Sequence, residues 1–252
     1  MKDAGWRQRI VRALAIREGE TWIEIGAGHG EMTRELARRA GRVVAIELDP
    51  PLVESLRRLA AEHANIEVVG GDVLQLDLTA LAGSRRARVY GSLPYYITSP
   101  ILRRLFESAG GLDSLAVVIQ LEVAARIVAL PRARDFGFLS VLAQFYARPE
   151  IALRLPPGAF QPRPKVASAL VKMSLPGARA SLGVGDGRAF LEFAGRCFAH
   201  KRKTLVNNLR EAYTVPRVEE ALRASGLEGR ARAEELSLPE LADVFGRLRG
   251  QA

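Results

Sequence analysis

Four short stretches of this chain carry residue types that could do chemistry together: Glu24 to Gly28, Glu47, Asp72, and Ser92-Leu93-Pro94-Tyr95. The last offers a hydroxyl, a carbonyl freed by the non-donating proline, and a flat aromatic face. That set suits a planar amine such as the exocyclic nitrogen of adenine. By itself such a corner is a common turn, and its weight comes from the other three stretches. Glu47 lies 21 positions after Gly26, an interval that lets a carboxylate accept hydrogen bonds from ribose hydroxyls in a nucleotide-binding unit.

These residues need elements that bring them to one place. Thr21 to Ile25 reads as a strand, followed at once by Gly26-Ala27-Gly28-His29-Gly30 and a helix from Glu31 to Arg39 with Met32, Leu36 and Ala40 on one face. Strand, glycine loop, helix is the opening of a nucleotide-binding βαβ unit. Arg42 to Glu47 is the second strand, Pro51 to Glu62 a helix, and Ile66 to Val69 the third strand, running into Gly70-Gly71-Asp72-Val73. Ala87 to Tyr90 is the fourth strand. In a parallel sheet ligands sit beyond the carboxyl ends of the strands, and the four stretches fall at four successive strand ends. The ligand class follows from the glycines. The third position of a G-x-G-x-x-G dinucleotide fingerprint falls on Glu31, whose negative charge opposes a pyrophosphate and tolerates a sulfonium ligand with an ammonium group. The Glu-x-Gly-x-Gly form is typical of class I methyltransferases, which use S-adenosylmethionine.

Composition narrows the setting. Lysine and arginine exceed aspartate and glutamate by nine, and the pI of 10.3 favours a polyanionic partner. Cys197 is the only cysteine, which excludes an internal disulfide or a cysteine-based metal cluster and fits a cytoplasmic protein. His29, His63 and His200 lack metal-ligand spacing, and no metal is expected. No apolar run approaches the roughly 20 residues of a membrane span.

Further along, Leu115 to Leu121 reads as a fifth strand, Glu122 to Leu130 as a helix, and Leu139 to Tyr146 as helix or strand. Phe160 lies in the turn-rich Pro156 to Val166 segment with Arg163 and Lys165, an arrangement that suits stacking a base and holding its phosphate; a stiff connector with Phe160 in the core is the other reading. Ala167 to Met173 is a late strand. The segment 176–187 is rich in glycine, alanine and serine and marks a domain boundary. Two domains follow, 1–178 and 186–252, the second wholly helical, with Asp186 as a helix cap, Ser237 to Glu240 as a capping box, and a basic run at Lys201, Arg202 and Lys203.

In combination these motifs resemble the ribosomal RNA adenine N6,N6-dimethyltransferases of the KsgA type. The likeness rests on Glu24 to Gly28, Val44 to Asp49, Gly71-Asp72, Ser92 to Tyr95, Pro156 to Val166 with Ser168, and Arg202 to Leu205 with Asn207 to Leu209. It implies an α/β fold, a Rossmann-like class I methyltransferase domain with a small all-helical C-terminal domain that docks on the ribosome. It further implies that Gly26 and its neighbours Glu24, Ala27 and Gly28 hold the methionine part of S-adenosylmethionine, Glu47 the ribose and Asp72 the adenine. Leu48, Val73 and Ser92 would complete the cofactor site. Ser92, Leu93 and Pro94 would orient the target nitrogen, and Tyr95 and Phe160 would stack on the target base. Arg163, Lys165, Lys201, Arg202 and Lys203 would contact RNA. The implied partner is 16S rRNA in the 30S subunit, approached by a monomer. Two departures stand out. The family usually has asparagine where this chain has Ser92, which predicts an altered rate or a poorer second methylation. Family members also usually carry a Gly-Gln-x-Phe-Leu segment that ends where Met1 falls, so either that segment precedes Met1 or cofactor is held differently. The alternatives are the 23S rRNA methyltransferases of the macrolide-resistance type and a ribosome assembly factor with weak or lost catalysis.

Overall fold

The computed structural model describes residues 3–250. They divide into two compact units: residues up to Ala124 together with Arg148–Leu175, and Ala125–Ala147 together with Pro176 onwards. In the first unit a seven-stranded sheet has the order β3-β2-β1-β4-β5-β7-β6, formed by β1 (Thr21–Ile25), β2 (Arg42–Glu47), β3 (Ile66–Gly70), β4 (Ala87–Ser92), β5 (Leu112–Gln120), β6 (Arg148–Leu155) and β7 (Ser168–Ser174). The first five strands are parallel, and β7 runs antiparallel between β5 and β6. Every residue of β1 is buried, Trp22, Ile23 and Ile25 together with the polar Thr21 and Glu24, as a parallel strand covered on both faces requires.

The connecting helices are α1 (Ala4–Leu14), α2 (Glu31–Ala37), α3 (Pro50–Glu62), α4 (Leu78–Ala82) and α5 (Thr98–Glu107). Ile10, Val11 and Leu14 of α1, Met32 and Leu36 of α2, and Leu56 and Leu59 of α3 share one core with Trp22, Val43 and Ala45 of the sheet. Strand order reverses between β1 and β4, which pair in register from Trp22 opposite Arg88 to Ile25 opposite Gly91. Such a reversal opens a crevice at the carboxyl ends of the strands.

The chain leaves the first unit within α6 (Leu121–Val128) and forms α7 (Phe138–Tyr146) before returning as β6. The sequence left Leu139 to Tyr146 undecided; it is a helix, because Val141 and Phe145 at helical spacing join a core with Phe190, Phe193, Leu241 and Phe245. That core belongs to the second unit, so the expected boundary near 178 is incomplete: residues 125–147 belong with the C-terminal helices. Those helices are α8 (Gly187–Cys197), α9 (Leu205–Leu209), α10 (Val215–Ala224) and α11 (Leu238–Arg249). Asp186 caps α8 by accepting from the Ala189 amide, and Ser237 and Glu240 form the capping box of α11. Strand β6 and the short α4 were not foreseen. β6 alternates buried and accessible positions only weakly and is an edge strand, so its sequence carries little of the pattern by which strands are recognised.

Candidate active site

The glycine loop after β1 bends into the crevice through Gly26 (φ 70°) and Gly28 (φ 58°), and α2 starts at Gly30 (φ 78°). A side chain at Gly30 would also run into Leu59 at 2.7 Å and Leu56 at 3.0 Å, so loop and α3 pack tightly. Gly26 lies across the crevice from the fourth strand: a Cβ there would stand 3.9 Å from the Ser92 carbonyl. The first and fourth strand ends are neighbours, with Ile25 opposite Gly91.

Glu47 closes β2 and organises this loop. Its Oε2 accepts from the Gly28 amide at 2.8 Å, and its Oε1 accepts from Leu48 (2.8 Å) and Asp49 (3.1 Å). A carboxylate oxygen carries two lone pairs, so Oε2 keeps one for a further donor. Leu48 beside it is 66% exposed, an apolar surface next to an acid. The Gly71 amide donates to the Glu47 carbonyl at 2.9 Å, which brings the third corner alongside the second. Asp72 Oδ1 accepts from the Leu74 amide at 3.0 Å, leaving Oδ2 to other donors, and Val73 is buried beneath it.

Glu24, which the resemblance sets among the cofactor residues, lies at the buried end of β1. It is 3% exposed, and its Oε2 accepts from the Thr33 hydroxyl at 2.6 Å. Burial, joined by the nearby charges of Glu31 and Glu47 and only partly offset by the Thr33 bond, pushes its carboxyl up to about 8. This geometry makes Glu24 a brace between β1 and α2. Tyr90, its register partner on β4, is also buried, and burial together with the Glu24 charge keeps its hydroxyl protonated. Sequence reasoning did not find Thr33 as the partner of Glu24, since a lone threonine in a helix gives no signal.

At the fourth corner Ser92 is exposed and Leu93 is buried, its amide donating to the Val118 carbonyl at 3.0 Å. The Pro94 carbonyl already accepts from the Ile97 amide (3.2 Å) and from the buried Thr98 hydroxyl (3.0 Å). Tyr95 to Ile97 form a single 3₁₀ turn. The Tyr95 hydroxyl shares a hydrogen bond with the buried Ser168 Oγ at 2.9 Å, which fixes the ring while leaving it 37% exposed. Ser168, at the start of β7, has the role of orienting Tyr95. Phe160 is half-buried against the core containing Leu155 and Leu170, with Arg163 and Lys165 exposed after it.

The second unit carries Lys201, Arg202 and Lys203, all exposed. Asn208 shapes their loop: its Oδ1 accepts from the His200 amide, and its Nδ2 donates to the carbonyls of Cys197 (2.7 Å) and His200 (3.2 Å). Lys201 and His200 line a cleft of about 200 Å³ with Arg132, Arg134, Phe136 and Phe198. Among the described residues, no group of three or more His, Cys, Asp or Glu could hold a metal, and no helix is long and apolar enough to cross a membrane.

This arrangement has known relatives. The chain is 39% identical over 262 residues to the ribosomal RNA small subunit methyltransferase A of Koribacter versatilis, covering 99% of this chain and 92% of that protein. It is 44% identical over 241 residues to the protein of the same name from Acidobacterium capsulatum, covering 95% and 85%. Among solved structures it resembles the 23S rRNA methyltransferase ErmE (TM-score 0.72, 30% identity, 99% of each chain). It also shares the fold of a dimethyladenosine transferase from Plasmodium falciparum (TM-score 0.85, 19% identity, 100% and 98%). The family model for ribosomal RNA adenine dimethylase matches residues 1–249, and with the crevice built as described, the chain belongs to that family.

Proposed function

We propose that the protein transfers methyl groups from S-adenosylmethionine to N6 of adenosine in the 16S rRNA of the small ribosomal subunit, completing dimethyladenosine. The observation that carries this reading is the parallel pairing of β1 with β4, Ile25 opposite Gly91, which sets the glycine loop and the Ser92 corner side by side at the carboxyl ends of neighbouring strands. Full-length likeness to small subunit methyltransferases favours the small subunit over the 23S reading, for which the likeness to ErmE is lower at 30%.

The residues fit the cofactor. The remaining lone pair of Glu47 Oε2 suits a ribose hydroxyl, exposed Leu48 a purine face, and Asp72 Oδ2 the amine of adenine. Gly26 and its neighbours leave space for the methionine part, with Glu24 bracing the loop from behind. S-adenosylmethionine supplies an electrophilic methyl group when bound. The protein's own task is the acceptor. The N6 lone pair of adenine is delocalised into the ring and is a poor nucleophile. Ser92 Oγ and the Leu93 carbonyl, by accepting its N–H groups, favour the pyramidal nitrogen on which positive charge develops. Tyr95 and Phe160 hold the base by stacking, which contributes orientation and proximity. Arg163, Lys165 and the 201–203 run supply charge for phosphates and for docking on the ribosome.

The test is transfer of labelled methyl from S-adenosylmethionine to unmodified 30S subunits, with nucleoside analysis. Dimethyladenosine is the expected product. Subunit binding without transfer would instead support an assembly factor.

A further inference from the structure

Tyr96 is 88% exposed, the most exposed of the large hydrophobic side chains described. A single such residue on a surface is ordinary; this one stands on a turn of the site that hydrogen bonds hold on both sides. Tyr95 is tied to Ser168, and the Pro94 carbonyl is held by Ile97 and Thr98, so the turn that carries Tyr96 is anchored on both sides. Successive side chains of a 3₁₀ turn diverge by about 120°. Tyr95 and Tyr96 therefore cannot cover the same ring, and Tyr96 is directed away from the base that Tyr95 would stack. The Tyr95–Ser168 bond also brings the end of the 163–168 segment to this corner, with exposed Arg163, Lys165 and a 45% exposed Val166.

We infer that Tyr96 forms a second nucleotide subsite, a stacking platform for the base next to the target adenosine. The inference rests on the proposed function. Taking an adenosine out of its stack strips its neighbours of a partner, and an exposed aromatic face on a rigid turn restores one without reading its identity. The high exposure leaves the ring little part in folding, and its hydroxyl is not needed for stacking.

The test compares Tyr96→Ala, Tyr96→Phe and Tyr96→Trp in the full chain, with unmodified 30S subunits and with subunits reconstituted on rRNA carrying an abasic residue on the 5′ or the 3′ side of the target. Tyr96→Ala is expected to raise KM for subunits about tenfold or more, with cofactor affinity and thermal midpoint unchanged. Phe and Trp variants should stay near the parent. On one of the two abasic substrates the parent should fall to the level of Tyr96→Ala. A parental KM for Tyr96→Ala, an equal defect in Tyr96→Phe, or an undiminished difference between parent and Tyr96→Ala on both abasic substrates would overturn the inference. Subunit affinity is measured in parallel. A parent that binds subunits without transferring methyl overturns the proposed reaction alone, and the same comparisons of affinity then decide the role of Tyr96.

Discussion

Ser92 presents one rotatable hydroxyl, in place of the asparagine amide that the resemblance leads one to expect, at the exposed last position of β4. A serine oxygen reaches less far than an amide oxygen, and its hydroxyl must rotate to accept. Ser92→Asn should therefore raise the proportion of dimethyladenosine over monomethyladenosine, and Ser92→Ala should lower kcat by roughly 10²-fold. Single-turnover transfer with nucleoside analysis checks both, and an unimpaired Ser92→Ala would remove the hydroxyl from the mechanism. Tyr95→Ala and Phe160→Ala are expected to cut methyl transfer by roughly 10²-fold while cofactor affinity, measured by calorimetry, stays within about twofold. Equal loss of cofactor binding in both variants would count against stacking on the target base. Tyr95 was legible as an aromatic after Pro94. Its tether was not, since Ser168 lies 73 residues away in the chain.

Between β1 and α2 the Glu24–Thr33 bond sets a pH dependence. An unfolded glutamate loses its proton near 4.5, whereas folded Glu24 holds it up to about 8. Between those values the folded chain binds more protons than the unfolded chain. This contribution therefore favours folding at low pH, declines as pH rises from about 4.5, and levels off above about 8. Glu24→Gln keeps an acceptor for Thr33 but cannot ionise. Its thermal midpoint should gain on the parent's as pH is raised from about 6 to about 9; parallel profiles for the two proteins would show that Glu24 is not the group responsible. Strand, loop and helix were plain in the sequence because apolar runs, glycines and helical spacing are local signals. The protonated state of Glu24 was not, because it depends on everything packed around a side chain that is 3% exposed.

The two units differ in how far sequence reached them. Asp186 and Ser237 announced their helices, and the glycine- and serine-rich stretch marked where the chain crosses over after Leu175. Residues 125–147 gave no such sign. Their apolar positions fit either core, yet Phe145 stacks at 5.2 Å on Phe190, and Phe136 meets Phe198 edge-on at 5.9 Å. A chain ended at 178 should therefore expose Phe136, Val141 and Phe145, bind hydrophobic dye and aggregate on heating; parental dye binding and a cooperative melt would contradict this division. Sequence by itself determined the family and most helices and strands, because these depend on residue type and short-range periodicity. Tertiary structure alone decided that Glu24 bonds Thr33, that Pro94's carbonyl is taken, that Ser168 holds Tyr95, and which core claims α7. The last two are pairings between residues distant in the chain, and the first two are short-range bonds; all are selected by packing and hydrogen-bond satisfaction once the sheet has closed.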